Sequence, residues 1–315
     1  MSAMRQTMNS QPAALQRVLD DGARVAAVAD RIRGRRVLLV GTGTSLHAAG
    51  QGASLLRGAG LEAWAVPAAD AVAGDPAPTE EDALVLLSHR GTKRYTSEVL
   101  QRAQAVGAAT VFISKMGNPD ADLDTVSEET SSAFTASHLC ALLRLAQLAR
   151  ELGAPIDGLT EVPAAVAGEL DAGPTGVEPP GRLLDFVGTG INAWTAAEGA
   201  LKTRETSYVS CAGWNCEQFL HGPSVALGPA DTVVGLDGEG AAGDRLGEAL
   251  DVVAAQGSTV HRFSRPELGE ALSIFALTTL VQKVAVEAAE RLGTNPDTFG
   301  RDLPGRADAW AGVRL

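Results

Sequence analysis

Two hydrophobic periods alternate along the chain. Short apolar runs, several ending in Gly or a small polar residue, lie at residues 36–41, 83–88, 109–114, 182–188, 232–236 and 259–263, with a weaker one at 62–66. Runs of this length without a polar face are the pattern of parallel strands buried on both sides. Between them, residues 12–33, 45–58, 96–106, 135–152, 242–255 and 272–292 carry apolar side chains at helical spacing. Strand and helix patterns in alternation predict an α/β protein built on parallel sheets.

The pattern is interrupted once. Residues 153–181 are rich in Gly, Pro and Ala, with breaks at Gly173-Pro174 and Pro179-Pro180. They read as an interdomain segment holding one helix, at 162–170. The layout then restarts. Arg182-Leu-Leu-Asp-Phe-Val-Gly-Thr-Gly190 repeats Arg36-Val-Leu-Leu-Val-Gly-Thr-Gly43. Both read as a strand, a Gly-Thr-Gly turn and a helix. The expected organisation is an N-terminal helical segment (1–35), a first α/β domain (36–152), the linker (153–181), a second α/β domain (182–292) and an irregular tail (293–315) with a last turn at 307–310.

Composition narrows the function. The chain has 315 residues, so two domains are expected. The formal net charge is −12, and aromatics are only 4%. Neither suits nucleic acid or an anionic membrane, which need a positive field. An anionic ligand would need a local basic site. Cys140, Cys211 and Cys216 have no metal-binding or paired spacing, which fits a reducing cytoplasm. The opening residues lack the apolar core of a signal peptide, and no apolar run reaches the roughly 20 residues of a membrane span. His47, His89, His138 and His261 form no ligand spacing, so no metal is expected.

Four motifs carry candidate chemistry. Thr42-Gly43-Thr44-Ser45 offers hydroxyls and backbone N–H groups at a helix start, where the helix dipole favours an anion. The same residues would also serve as plain N-caps. Ser88-His89-Arg90-Gly91-Thr92-Lys93-Arg94 places three fixed cations near a second helix start, where the dipole disfavours them unless an anion binds. A solvated charged turn is the other reading. Glu198, Lys202 and Glu205 share one helix face, either as a surface salt-bridge ladder or as a proton-transfer set. His221 precedes Gly222-Pro223 on a fixed turn, in a structural or a catalytic role. Neither Gly-Thr-Gly turn has the acidic residue a dinucleotide's ribose needs, so a nicotinamide or flavin oxidoreductase is disfavoured and no cofactor is expected.

Together these motifs resemble the double sugar-isomerase (SIS) domain family, and within it the isomerase half of glutamine-dependent glucosamine-6-phosphate synthases. The family's Cys-Gly-Thr-Ser loop is similar to Thr42–Ser45, and its Leu-Ser-Gln-Ser-Gly-Glu-Thr loop to Leu87–Lys93. Its Ala-Leu-Glu-Gly-Ala-Leu-Lys-Leu-Lys-Glu helix is similar to Ala197–Glu205, with Ser207-Tyr208 following. Its His-Gly-Pro stretch resembles His221–Pro223. Met4 to Gln11-Pro12 and Ser131–Thr135 extend the likeness over nearly the whole chain.

The resemblance implies two tandem flavodoxin-like domains of about five parallel strands each, working without a cofactor. It implies a phosphorylated sugar or aminosugar bound at Thr42, Gly43, Thr44, Ser45, Ser88, His89, Arg90 and Lys93, with Gly188 and Thr189 at the repeated turn. Glu205 matches the base that moves a proton between C1 and C2. Lys202 matches a lysine near that base. His221 matches the ring-opening histidine, which the family donates across a homodimer. One phosphosugar site per chain is expected, because the loop Gly235-Leu-Asp-Gly-Glu-Gly240 is acidic rather than Ser/Thr-rich.

Three departures shape the expectation. No glutaminase segment is present, so amidotransfer is not expected. Arg90 and Lys93 stand where the synthases have Ser and Thr, suggesting an ionic clamp. The tail has Asn295-Pro-Asp297 and Arg301 but no lysine to form an imine with a ketose; Arg301 could replace it only electrostatically. The reading is a cytoplasmic sugar-phosphate isomerase, or an aminosugar-phosphate deaminase or deglycase. The alternative is a non-catalytic phosphosugar sensor.

Overall fold

The computed structural model describes residues 1–238 and 243–313. The described chain begins with α1 (Ala3–Asn9), α2 (Gln11–Asp20) and α3 (Val25–Ile32). The first sheet region follows: β1 (Val37–Gly41), α4 (Thr44–Gly58), β2 (Ala63–Pro67), α5 (Ala68–Ala73), β3 (Ala83–Leu87), α6 (Arg94–Ala105), β4 (Ala109–Ser114) and β5 (Leu123–Asp124). Helices α7 (Ala136–Glu151) and α8 (Val162–Asp171) lead to the second region. It comprises β6 (Leu183–Gly188), α9 (Asn192–Ser207), β7 (Ser210–Asn215), α10 (Cys216–Leu220), β8 (Thr232–Asp237), α11 (Gly243–Ala255), β9 (Thr259–Ser264) and α12 (Gly269–Leu292). Helix α13 (Arg306–Trp310) closes the tail.

Two compact units result. One holds Ser10–Glu129 and Ala136–Pro163; the other holds Met1–Asn9, Thr130–Thr135 and Ala164–Ala311. The first contains a parallel five-stranded sheet of order β2-β1-β3-β4-β5. Every residue of β1 and β3 is buried. Leu38, Val40, Leu84 and Leu86 pack with Ala71 of α5 and Val99 and Ala103 of α6. Leu39, on the opposite face, meets α4 at Gly52, where a Cβ would lie 3.0 Å from its side chain and 2.7 Å from Leu145 of α7. Alternate side chains of one strand thus serve two helical layers.

The second unit has a parallel four-stranded sheet of order β7-β6-β8-β9. Leu184, Phe186, Val234 and Leu236 pack with Ala196 and Ala200 of α9 and with Leu277, Val281 and Val284 of α12. Val187 and Val233 face the other way, onto Phe219, Leu246, Leu250 and Val253. Each fully buried aliphatic side chain contributes about 1.5–3 kcal/mol, so these layers outweigh local propensity.

Three expectations are corrected. The single helix expected at 12–33 is two, broken where Asp21 leaves helical geometry (φ −95°, ψ 57°) ahead of Gly22. The second sheet has four strands rather than about five. Helix α12 with its leading turn (Pro266–Leu292) is long and apolar enough to cross a bilayer, contrary to the expectation that no run is. In the fold it is a core helix, 94% buried over its most apolar stretch. The helix expected over 242–255 is seen from Gly243, and Ala242 lies outside the described residues.

Candidate active site

The first unit supplies two adjacent strand-to-helix turns, after β1 and β3. At the first, a Cβ on Gly41 would lie 2.4 Å from the Ser45 carbonyl oxygen, so the chain can double back there only on glycine. Gly43 takes φ +59° and caps α4. Thr42 is exposed, and Gly43, Thr44 and Ser45 are half-buried. No acidic residue occupies the first turn of α4. The positive end of a 15-residue helix therefore faces an accessible, hydroxyl-rich turn.

The second turn follows β3. Ser88 is 5% exposed, and its hydroxyl finds no hydrogen-bond partner among the described residues. A buried, unpaired hydroxyl costs roughly 1–3 kcal/mol, which a ligand would recover. The turn is braced from β4: the Ser114 hydroxyl bonds the carbonyls of Ser88 (2.9 Å) and His89 (3.1 Å), and the Asn118 amide donates to Ser114 Oγ at 2.9 Å. Burial pushes the His89 imidazole below its usual range, against the pull of Glu129 and Glu128. Lys93 caps α6, whose first turn also lacks an acid. Arg94 lies over the Tyr95 ring at 5.3 Å.

Arg90 stands within a charge group that its motif did not reveal. Its Nε bonds Glu128 at 2.6 Å, and Lys115 Nζ takes the other Glu128 oxygen at 2.5 Å. Those two donors hold the Glu128 carboxyl below its ordinary range, Lys115 most strongly. Glu128 and Lys115 lie 38 and 25 residues from Arg90 in sequence, so local spacing gave no signal for them.

The second unit carries the acid–base candidates. On α9, Lys202 Nζ lies 2.7 Å from Glu205 and 3.6 Å from Glu198. Lys202 and Glu198 have side chains only 1% and 0% exposed, and Glu205 13%. The surface-ladder reading is therefore wrong: the set is buried, with Glu205 its most accessible member. The burial has a packing cause. A Cβ on Gly199 would lie 2.9 Å from Val281 Cβ, so α9 presses tightly on α12. A Cβ on Gly213 would lie 2.4 Å from the Ala196 carbonyl, so β7 runs equally close.

His221 ends α10 and is 69% exposed; its Nε2 lies 2.9 Å from Glu217. Arg245 and His221 together pull the Glu217 carboxyl down to about 2. Arg301 is exposed, and among the described residues its side chain has no ion pair. The tail itself is anchored: Thr294 Oγ1 donates to the Thr206 carbonyl at 2.7 Å, and Tyr208 Oη to the Asn295 carbonyl at 3.4 Å.

The repeated turn, Gly188-Thr189-Gly190, has the same tight geometry. A Cβ on Gly188 would lie 2.1 Å from the Asn192 carbonyl oxygen, and Gly190 takes φ +50°. Here, however, the turn is filled. Ile191 N–H donates to Glu270 Oε1 at 3.2 Å, and Thr189 is buried. After β8, a Cβ on Gly238 would lie 2.1 Å from Ser273 Oγ, so the chain leaves that strand close against α12. Glu239 and Gly240 of the acidic loop lie outside the described residues. Among those described, no three His, Cys, Asp or Glu side chains gather as a metal-ligand set. Cys140 and Cys211 are buried thiols pushed up to about 12.

Comparison with known proteins agrees with this architecture. Residues 32–149 match the family described as SIS domain. It is 26% identical over 302 residues to a glutamine–fructose-6-phosphate aminotransferase (isomerizing) of Pyrococcus horikoshii, across 83% of this chain and 50% of that protein. The chain spans about half the length of the curated relatives it matches. Its fold is similar to the C-terminal domain of glucosamine-fructose-6-phosphate aminotransferase from Francisella tularensis, with TM-score 0.81, 19% identity and coverage of 95% and 98% of the two chains. It is also similar to glucosamine-6-phosphate deaminase from Thermotoga maritima, with TM-score 0.78, 19% identity and coverage of 94% and 97%. The chain thus resembles the isomerase half of the longer relatives.

Proposed function

We propose that this chain interconverts the aldose and ketose forms of a sugar phosphate or aminosugar phosphate by an enediol proton transfer. The observation that carries the reading is the buried Glu198–Lys202–Glu205 set. A carboxylate held 2.7 Å from an ammonium and still 13% exposed is a positioned group that can take and return a proton. In the proposed step, Glu205 removes the C2 proton of the open-chain aldose. The electrons move through an enediol, O1 gains and O2 loses a proton, and Glu205 returns to C1 a proton that exchanges with solvent while it is held on the carboxyl. On a 2-amino sugar the corresponding enamine gives an imine at C2. Water adds there, ammonia leaves and the ketose forms.

The phosphate is assigned to Thr42–Ser45 and Ser88–Lys93, where two helix starts without acids and the unpaired Ser88 hydroxyl favour an anion. His221, exposed beside Glu217, is assigned to ring opening, in a site completed by a second copy of the chain. Gly188, Thr189 and Arg301 receive no role in this reading. The three buried thiols suit a reducing compartment such as the cytoplasm.

The test is an NMR assay in D₂O against a panel of sugar 6-phosphates and aminosugar 6-phosphates. It follows deuterium at C1 and C2 together with ammonia. Exchange with aldose–ketose conversion supports an isomerase, and accompanying ammonia a deaminase. Binding to a panel member without exchange would replace the enzyme with a sensor.

A further inference from the structure

The two Gly-Thr-Gly turns share a geometry but not a state. In each, the first glycine lets the strand reverse within 2.4 Å or less of a carbonyl oxygen four residues on. In each, the second glycine takes a positive φ, +59° at Gly43 and +50° at Gly190. A helix of 15 residues begins directly after Gly43, and one of 16 begins one residue further on from Gly190, after Ile191. The first turn is open and has no acid nearby in its helix. The second is occupied by a carboxylate from a different helix. Glu270 belongs to the first turn of α12, 79 residues after Ile191, whose N–H it accepts. Its Oε1 sits 1.8 Å from the point where a Cβ on Gly190 would be, so the acid lies against the glycine backbone itself. Asn192 Nδ2 adds a bond to Ser273 Oγ at 2.9 Å, and Ser273 Oγ donates to the Glu270 carbonyl at 2.9 Å. The seat is thus fixed at both ends.

We propose that Glu270 is a resident anion, taking in the second turn the place that a phosphate takes in the first. A helix start and a run of backbone N–H groups attract negative charge from any source, and a tethered carboxylate is always present at high effective concentration. The second turn keeps the anion-binding geometry of the repeat but does not take an external ligand. The chain accordingly binds one phosphosugar rather than two. The inference rests on the proposed function only for the open turn; the occupied turn stands on its own geometry.

The test is a count of bound inorganic phosphate by equilibrium dialysis, with melting temperatures in phosphate and in chloride of equal ionic strength. Glu270→Ala should bind one phosphate per chain more than the unaltered protein. Its melting temperature should rise in phosphate beyond any rise in the unaltered protein, because the external anion replaces the missing one. If Glu270→Ala does not fold, Glu270→Gln keeps the side-chain length without the charge, and phosphate should displace the amide with the same extra equivalent. An unchanged count in whichever variant folds, with no added stabilisation by phosphate, overturns the proposal. An unaltered protein that binds no phosphate counts against the open turn alone, and the increment still decides the role of Glu270.

Discussion

Glu205 and Lys202 form a contact that can be altered without emptying the site. Glu205→Gln keeps the shape and a hydrogen bond to Lys202 but removes the proton acceptor. Deuterium exchange at C2 should fall about 10²–10⁴-fold, with phosphosugar affinity within a few fold of the original, as measured by NMR and calorimetry. A variant that still exchanges the C2 proton would sink the assignment. Asp82 offers a test of stability. Two bonds from Arg36, at 2.7 and 2.8 Å, and two from Thr79 hold its carboxyl below the ordinary range, Arg36 most strongly. Its folded pKa lies below its unfolded one. The stabilisation is therefore complete above about pH 4 and is lost as pH falls through the folded value. Asp82→Asn should be less stable at pH 7 and should lose less on acidification below pH 4, by urea titration at several pH values. At this scale the sequence was informative about identity and silent about environment. Spacing of three and four residues placed Glu198, Lys202 and Glu205 on one face, but it could not say that the face is turned into the protein.

At the scale of elements, α9 depends on an absent side chain. Gly199→Ala would put a methyl group 2.9 Å from Val281 Cβ and 3.2 Å from the Phe186 ring. The variant should lose about 1–3 kcal/mol by denaturant titration, and the shift of α9 should lower turnover more than that loss explains. Long runs such as β1, β3 and α12 were legible because burial on both faces leaves an uninterrupted apolar signature. Strand β7 was not. Its Ser-Cys-Ala-Gly-Trp-Asn sequence has neither alternation nor a β-branched residue, and Gly213 is there because α9 leaves no room for a Cβ. The two-residue β5 and the five-residue α10 are too short to carry a period. Glu270 escaped notice because the apolar pattern of α12 begins at Leu272, after the acid.

For the molecule as a whole, Asp297 is a junction. Its carboxylate accepts from Ala3 N–H and Met4 N–H, both at 2.8 Å, and its carbonyl accepts from Ser132 N–H at 3.0 Å. Three stretches far apart in sequence meet at one residue. Asp297→Ala should cost about 0.5–2 kcal/mol and make residues 1–9 susceptible to limited proteolysis while 10–129 and 136–163 remain resistant. The family resemblance made the tandem arrangement of two parallel-sheet domains legible, but no apolar period announces a junction of this kind. It also sets an order of assembly. On a ribosome adding roughly 5–20 residues per second, Ser10–Pro163 leave as an almost continuous stretch able to form its own sheet. Met1–Asn9, made before them, must wait for a partner 293 residues downstream of Met4. Residues 1–9, synthesised before that stretch, are therefore among the last to reach their native place. For the roughly 15–60 s that translation of the intervening chain takes, the buried side chains of Met4 and Met8 have no native cover, which is an interval for a chaperone to fill.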